Sequence, residues 1–348
     1  MNVDRDIRAV HVGLGPMGLR VVKHILAERQ GLRYVGAVDV APELEGKDLG
    51  EVARLGPCGV RVTGDAARVF EETRPDIAIY TTVSPLKQFL PQTEVAIRNG
   101  CNVISTCEEL AFPRFIDAGL TAKYDELCRK HGVTMLGTGI NPGFLMDLRA
   151  SVLSAACTDV QRVLITRRMD ATPRRQPFQK KIGAGMDVEA YRKATASGAI
   201  TGHVGLEISM NLIADALGWT LDEVRVSGPD PVVAESPVSS EHFSVAAGQV
   251  KGTIQQAVGI VAGEEKIRLD FAAYLGAEPS YDEVALFGTP EIRARVTPCW
   301  HGDYGTVAMA VNLIPAVINA CPGLLTINDI VPVSFKSGNM ARFVSQGS

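Results

Sequence analysis

The 348-residue sequence has no closely spaced cysteine pair, no long apolar run and no excess of positive charge. Its seven cysteines, at 58, 101, 107, 128, 157, 299 and 321, are odd in number and scattered without a CxxC. That usage argues against a disulfide framework or a zinc site and for reduced thiols in a cytoplasmic protein, so no metal is expected. No segment approaches the roughly 20 apolar residues a bilayer span requires. The opening MNVDRDI carries acids where a secretory signal has its apolar core. A net charge of −4 leaves no basic stripe for a phosphate backbone, so neither nucleic acid nor membrane is an expected partner. Internal repeats and low-complexity segments are also missing. The closing KSGNMARFVSQGS is polar and is expected to be loosely ordered.

What is present falls into two textures, and a chain of this length suggests at least two domains. Up to about residue 145, short apolar runs alternate with helical patterns. Strands are expected at 7–12, 34–39, 76–82, 102–106 and 133–137. Helices are expected at 17–28 (apolar spacing Leu19, Val22, Leu26), 88–98 and 115–130. Continuously apolar strands separated by helices predict a doubly wound parallel sheet, the α/β class. Beyond 150, alternating strands are expected at 160–168, 224–226, 239–250, 266–275 and 291–296. Helices are expected at 188–196 and 204–217. This pattern predicts an α+β domain with a largely antiparallel sheet. The apolar helix expected at 306–320 is buried by composition and should return to the first domain. The expected division is therefore 1–145 plus about 305–348 for dinucleotide binding, and 146–304 for substrate binding and dimerisation.

In VHVGLGPMGLRVV, Gly13, Gly15 and Gly18 follow a strand and open a helix that begins with Pro16 and Met17. A dinucleotide requires this arrangement: a tight turn, close backbone approach to the pyrophosphate, and close helix–strand packing. Asp39 ends the second strand 21 residues past Gly18, where ribose hydroxyls should lie. Its carboxylate favours NAD(H) and would repel the 2′-phosphate of NADP(H), although a loop movement would admit either cofactor.

Ligands of such sheets lie at the C-terminal strand ends. Thr81, Thr82, Ser84 and Thr106 occupy those ends, as do Glu108 and Glu109 of STCEEL and Asn141 and Gly143 of TGINPGF. Asn141 and Gly143 are candidates to hold the nicotinamide carboxamide or ribose, although Asn-Pro-Gly is also an ordinary turn. If the backbone stays extended through Glu109, the two carboxylates face opposite ways and only one meets the cofactor. Glu108 is the favoured one.

The ordered motifs GLGPMG, TTVSP, STCEEL, GTGINPGF, QKKIGAG, TGHVGLEIS and VNLIPAVINACPGLLTINDI resemble the 2,4-diaminopentanoate dehydrogenases. They resemble equally the native NAD(P)-dependent amine dehydrogenases, within a dihydrodipicolinate-reductase-like group. The resemblance runs over about residues 5–335. The His-His…Lys-x-Asp-Ala-Pro-Ser-Gly-Thr signature of true dihydrodipicolinate reductases is missing; MDATPRRQPFQKK is the nearest feature. The resemblance implies a Rossmann domain, a homodimer, and reversible oxidative deamination of an amine to a ketone or aldehyde plus ammonia. It also places Glu108 at the proposed catalytic position. The chemistry asks for such a group: a base must strip the ammonium, and a carboxylate stabilises the cationic iminium.

Candidate substrate contacts are Phe144, Leu145, Met169 with the loop to Ile182, and His203. Arg167, Arg168, Arg174, Arg175, Lys180 and Lys181 are expected to be mostly solvated, with room for one to hold a substrate carboxylate. The open alternatives are a 2,4-diaminopentanoate dehydrogenase acting on a diamino acid, a homoserine- or dihydrodipicolinate-type reductase, and a non-enzymatic redox sensor.

Overall fold

The computed structural model describes residues 5–330 and 334–345. The chain divides into two compact units, Leu145–His301 forming the second and the residues on either side of it the first.

In the first unit, β1 (Ile7–Val12), β2 (Leu32–Val38), β3 (Val62–Thr63), β4 (Ile77–Tyr80), β5 (Asn102–Ser105) and β6 (Thr134–Gly137) build a parallel sheet. Its spatial order is β3-β2-β1-β4-β5-β6, extended beyond β6 by a seventh parallel strand, Gly323–Leu325. The strands are apolar on both faces, with Ala9, Val10, Ile77, Ala78, Ile79, Val103, Ile104 and Met135 fully buried, as a sheet covered on both sides requires. Strand order reverses between β1 and β4, and ligands of open parallel sheets bind in the crevice at that reversal.

Several local expectations are corrected here. The helix expected at 115–130 is two helices, Pro113–Ile116 and Ala118–His131. Asp117 separates them in an extended conformation and caps the second by accepting from Leu120 N at 2.9 Å. The helix expected at 306–320 also breaks, into Gly302–Asn312 and Ile314–Asn319. Pro315 lacks the N–H needed to continue the first helix, but it is tolerated in the opening turn of the second. The C-terminal stretch is better anchored than its polarity suggests. Met340 is fully buried and its N–H donates to Gln30 O at 2.8 Å, while Asn339 caps the Met340–Phe343 turn. The last three residues of that stretch, 346–348, lie outside the described ones.

The second unit is a six-stranded, mostly antiparallel sheet. Its strands are β7 (Asp159–Asp170), β8 (Glu223–Val233), β11 (Val250–Val261), β12 (Glu264–Tyr274), β13 (Tyr281–Thr289) and β14 (Ile292–Val296). They lie in the order β14-β13-β7-β12-β11-β8, and only β7 and β12 pair parallel. Helix Leu206–Ala216 covers one face. Gly259 lets it approach, because a Cβ there would sit 2.7 Å from Met210 Sδ.

The single strand expected at 239–250 is not formed. A short ribbon of β9 (Val238–Ser239) and β10 (Ser244–Val245) turns on Ser240, whose hydroxyl accepts from His242 N and Phe243 N. Gly248, at φ +87°, then redirects the chain into β11. Strand β8 runs well beyond the expected 224–226. Strand β13, which was not anticipated, carries Asp282 and Glu283 in its buried stretch.

Candidate active site

The glycines at the β1–helix junction meet three different physical demands. Gly13 has φ +92°, and a Cβ there would lie 2.8 Å from Thr82 Cγ2 and 2.9 Å from Thr81 O. A Cβ on Gly18 would lie 2.0 Å from Gly13 O, so helix and strand meet backbone to backbone. A Cβ on Gly15 would have no neighbour within 4 Å; this residue borders open space. Helix α1 (Pro16–Glu28) begins there with no acidic residue in its first turn, so its positive end and opening N–H groups are directed at that space.

A cleft of about 630 Å³ runs past the junction, and Gly13, Gly15, Asp39, Thr81 and Thr82 line it. Val83 of the TTVSP motif joins them, as do Gly64, Ala66 and Gln92 from segments that carry no motif. Asp39 is held in place by backbone donors: Leu14 N at 2.5 Å from Oδ2, and Ala41 N at 2.8 Å from Oδ1. A second carboxylate, Glu45, accepts from Gly64 N at 2.7 Å, and no Lys or Arg lines the cleft. A helix N-terminus, a glycine facing open space and a carboxylate beyond it fit a dinucleotide with free ribose hydroxyls. Pro16, Met17 and Gly18 form the helix's first turn behind Gly15.

The strand-end carboxylates separate differently from the alternation expected of an extended chain. The backbone turns after Thr106, whose N–H donates to Tyr80 O at 3.1 Å. Glu108 is helical (φ −61°, ψ −45°), and Glu109–Ala111 is a 3₁₀ turn. Glu109 reaches Leu86 N at 2.6 Å and caps helix Leu86–Arg98, while Glu108 is half-buried. Gly137 lets this turn lie against β6, because a Cβ there would fall 2.4 Å from Leu110 C. Cys107 donates its thiol to Ser84 O at 3.0 Å, and burial pushes its pKa up to about 12, so it is no nucleophile.

After β6, Thr138 N donates to Ser105 O at 2.8 Å and the chain turns through a cis Asn141-Pro142 peptide. Gly143 sits at φ +124°, where a Cβ would be 2.7 Å from Gly139 N. Glu108, Ser84, Thr106, Asn141 and Gly143 all stand at C-terminal strand ends but outside the lining of the cleft. Phe144 closes this part of the first unit.

In the second unit, Leu145 and Met169 are buried. His203 is half-buried, with its ring stacked on Phe271 (centroids 5.1 Å apart) and its N–H donating to Gln255 Oε1 at 2.9 Å. Burial, reinforced by the charges of Arg167 and Lys181, lowers its pKa to about 3. The imidazole is therefore neutral at working pH and is a poor base.

The expected solvated cation cluster divides. Arg175, Lys180 and Lys181 are exposed, Arg168 is half-buried, and Arg167 and Arg174 are buried. Arg167 donates to Asp282 Oδ1 at 3.0 Å and to Trp300 O at 2.8 Å, so its charge is neutralised within the unit. The expected 169–182 loop contains helix Gln176–Lys181, and the Gln179 amide donates to Ala171, Thr172 and Arg174 carbonyls. Among the described residues, no group of His, Cys, Asp and Glu is arranged to hold a metal, and no helix is long and apolar enough to cross a membrane.

Residues 144–345 match the 2,4-diaminopentanoate dehydrogenase C-terminal domain, and residues 7–107 match the dihydrodipicolinate reductase N-terminus. The chain is 32% identical over 347 residues to the 2,4-diaminopentanoate dehydrogenase of Acetoanaerobium sticklandii, covering 98% of each chain. It is 24% identical over 367 residues to the amine dehydrogenase of Streptomyces virginiae, covering 97% of this chain and 99% of that one. The solved amine dehydrogenase of Mycobacterium smegmatis shares the fold at TM-score 0.80 and 24% identity, over 97% of this chain and all of that one. The WlbA dehydrogenase of Bordetella pertussis, solved with NADH and UDP-GlcNAcA, is more distant. It has TM-score 0.54 and 13% identity over 93% of each chain.

Proposed function

The chain belongs to the 2,4-diaminopentanoate dehydrogenase family, and on that premise we propose that it catalyses reversible oxidative deamination with NAD(H) or NADP(H). An amine, water and the oxidised cofactor give a ketone or aldehyde, ammonia, the reduced cofactor and a proton; reductive amination is the reverse. The open space over Gly15, between the start of α1 and Asp39, carries the cofactor half of this reading. The amine half rests on identity of 32% spread over nearly the whole of both chains.

When bound, the nicotinamide exchanges a hydrogen and an electron pair with the amine carbon. Glu108 removes a proton from the substrate ammonium and so exposes the nitrogen lone pair. Once that proton has passed to solvent, the carboxylate stabilises the cationic iminium, then takes a proton from the attacking water and hands it to the departing nitrogen. General-base catalysis of this kind contributes on the order of 10²–10⁴-fold. Glu109 is committed to the Leu86 N–H, and His203 is neutral, so neither competes for the role. Asn141, Gly143, Ser84 and Thr106 are proposed cofactor contacts alongside the cleft residues. Phe144, Leu145, Met169 and His203 are proposed contacts for the substrate.

The carboxylates of Asp39 and Glu45 support preference for NAD(H). A cytoplasmic homodimer is also proposed, pairing through the sheet face of the second unit that bears Ile254, 44% exposed. Neutralisation of Arg167 by Asp282 supports a plain amine, whereas the 32% identical relative supports a diamino acid as the second reading. A screen of ketones with ammonia, following NADH and NADPH consumption, tests the function. Pairing each ketone with its carboxylate-bearing analogue separates the two substrate classes. Cofactor reduction by alcohols but not amines, or NAD(P)H consumption by a ketone or aldehyde that does not depend on ammonia, would overturn the reading.

A further inference from the structure

Beneath the glycine loop, three side chains and one carbonyl form a directional chain of hydrogen bonds. Thr81 Oγ1 lies 2.6 Å from Gly13 O, which only accepts, so the threonine hydroxyl donates there. Its single proton thus committed, Thr81 Oγ1 accepts from His11 Nε2 at 3.1 Å, which puts the imidazole proton on Nε2. Nδ1 is then left to accept from the Tyr34 hydroxyl at 3.2 Å. His11 and Tyr34 are both buried, and their rings meet edge to face at 5.8 Å. Burial lowers the His11 pKa to about 3, so the neutral form needed to accept from Tyr34 is the one present.

The carbonyl at the end of this chain belongs to the same peptide unit as the Leu14 N–H. That N–H is held by Asp39 Oδ2 at 2.5 Å. One peptide plane, Gly13–Leu14, is therefore gripped at its oxygen by Thr81 and at its hydrogen by Asp39. Gly15, which faces the open space, follows directly. Rotation of this plane would turn the loop's next N–H groups away from the cleft and would release the Asp39 carboxylate.

We propose that His11, acting through Thr81 and backed by Tyr34, is a positioning residue that sets the dinucleotide loop by fixing the Gly13–Leu14 peptide plane. The inference rests on the dinucleotide reading above. It assigns a cofactor-affinity role to a histidine that is fully buried and outside the lining of the cleft.

The test is NADH affinity by fluorescence titration, with thermal unfolding and the KM for the ketone at saturating NADH measured alongside. His11→Leu should weaken NADH binding about tenfold, the scale of one buried hydrogen bond, with the KM for the ketone moving less than twofold. His11→Gln should recover most of the affinity, because its amide donates to Thr81 and accepts from Tyr34. Thr81→Val should weaken binding to a similar degree, and the double variant should be no worse than either single one, as members of one network require. Wild-type affinity in His11→Leu, or full additivity with Thr81→Val, would overturn the relay and leave Thr81 as a direct cofactor contact. If His11→Leu does not fold, Thr81→Val against Thr81→Ser asks the same question, and equal affinity in that pair overturns the relay. A wild-type protein that binds no NADH would instead defeat the functional reading itself.

Discussion

Glu109 Oε2 lies 2.6 Å from the Leu86 backbone nitrogen, so one of two adjacent strand-end carboxylates is used to cap a helix. Its neighbour Glu108 is helical and opens the Glu109–Ala111 3₁₀ turn. This division of labour leads to opposite expectations for the two residues. Glu109→Ala leaves the Leu86 N–H at the start of that helix without its acceptor, so it should cost about 1 kcal/mol of stability with turnover close to that of the wild type. Denaturant unfolding and steady-state rates check both halves, and a large loss of turnover would assign Glu109 to the chemistry.

Asp39 holds the loop through Leu14 N and also lines the cleft. Asp39→Ala should therefore weaken NADH binding while raising the NADPH/NADH preference, because the carboxylate that crowds a 2′-phosphate is gone. Comparison of kcat/KM for the two cofactors decides it. An unchanged ratio would make Asp39 a loop anchor only.

The acid sensitivity of stability should come in part from two histidines. Burial holds both His11 and His203 at a pKa of about 3, against an ordinary 6.5. Above pH 6.5 both are neutral whether the chain is folded or unfolded, and they contribute no pH dependence. As pH falls below 6.5 the unfolded chain takes up protons that the folded chain refuses. Stability then drops by up to about 1.4 kcal/mol per pH unit for fully buried His11, and half-buried His203 adds a smaller, solvent-screened slope of the same sign. Unfolding midpoints between pH 6.5 and 5 should show this slope, and His11→Gln should reduce it by one proton. A flat profile over that window would mean that the imidazoles are hydrated and protonated in the folded state.

The glycine loop, Asp39 and the parallel sheet were legible in the sequence because each is set by local pattern: apolar strands, a glycine spacing and an acid at a strand end. What was not legible depends on distant partners. Strand β13 carries Asp282 and Glu283 in its interior, and charge of that kind argues against a buried strand until Arg167, Arg293 and Arg295 are found opposite them. His11 reads as an unremarkable strand residue because its partners, Tyr34 and Thr81, lie 23 and 70 positions away. The 239–250 segment misled because its apolar alternation is real, yet the Ser240 hydroxyl and Gly248 turn the chain within it. Alternation also misassigned the geometry at Glu108 and Glu109. The expected opposite facing of the two side chains rests on an extended backbone, which the 3₁₀ turn replaces.

The central claim is that Glu108 supplies the base for amine oxidation, and turnover of Glu108→Gln tests it most directly. The substitution keeps shape and hydrogen-bonding reach while removing basicity and negative charge. Reductive amination followed at saturating NADH and ammonia should fall by about 10²-fold or more, the scale of a lost general base, with the NADH dissociation constant nearly unchanged. Turnover within a few-fold of the wild type would contradict the account and move the base to another residue.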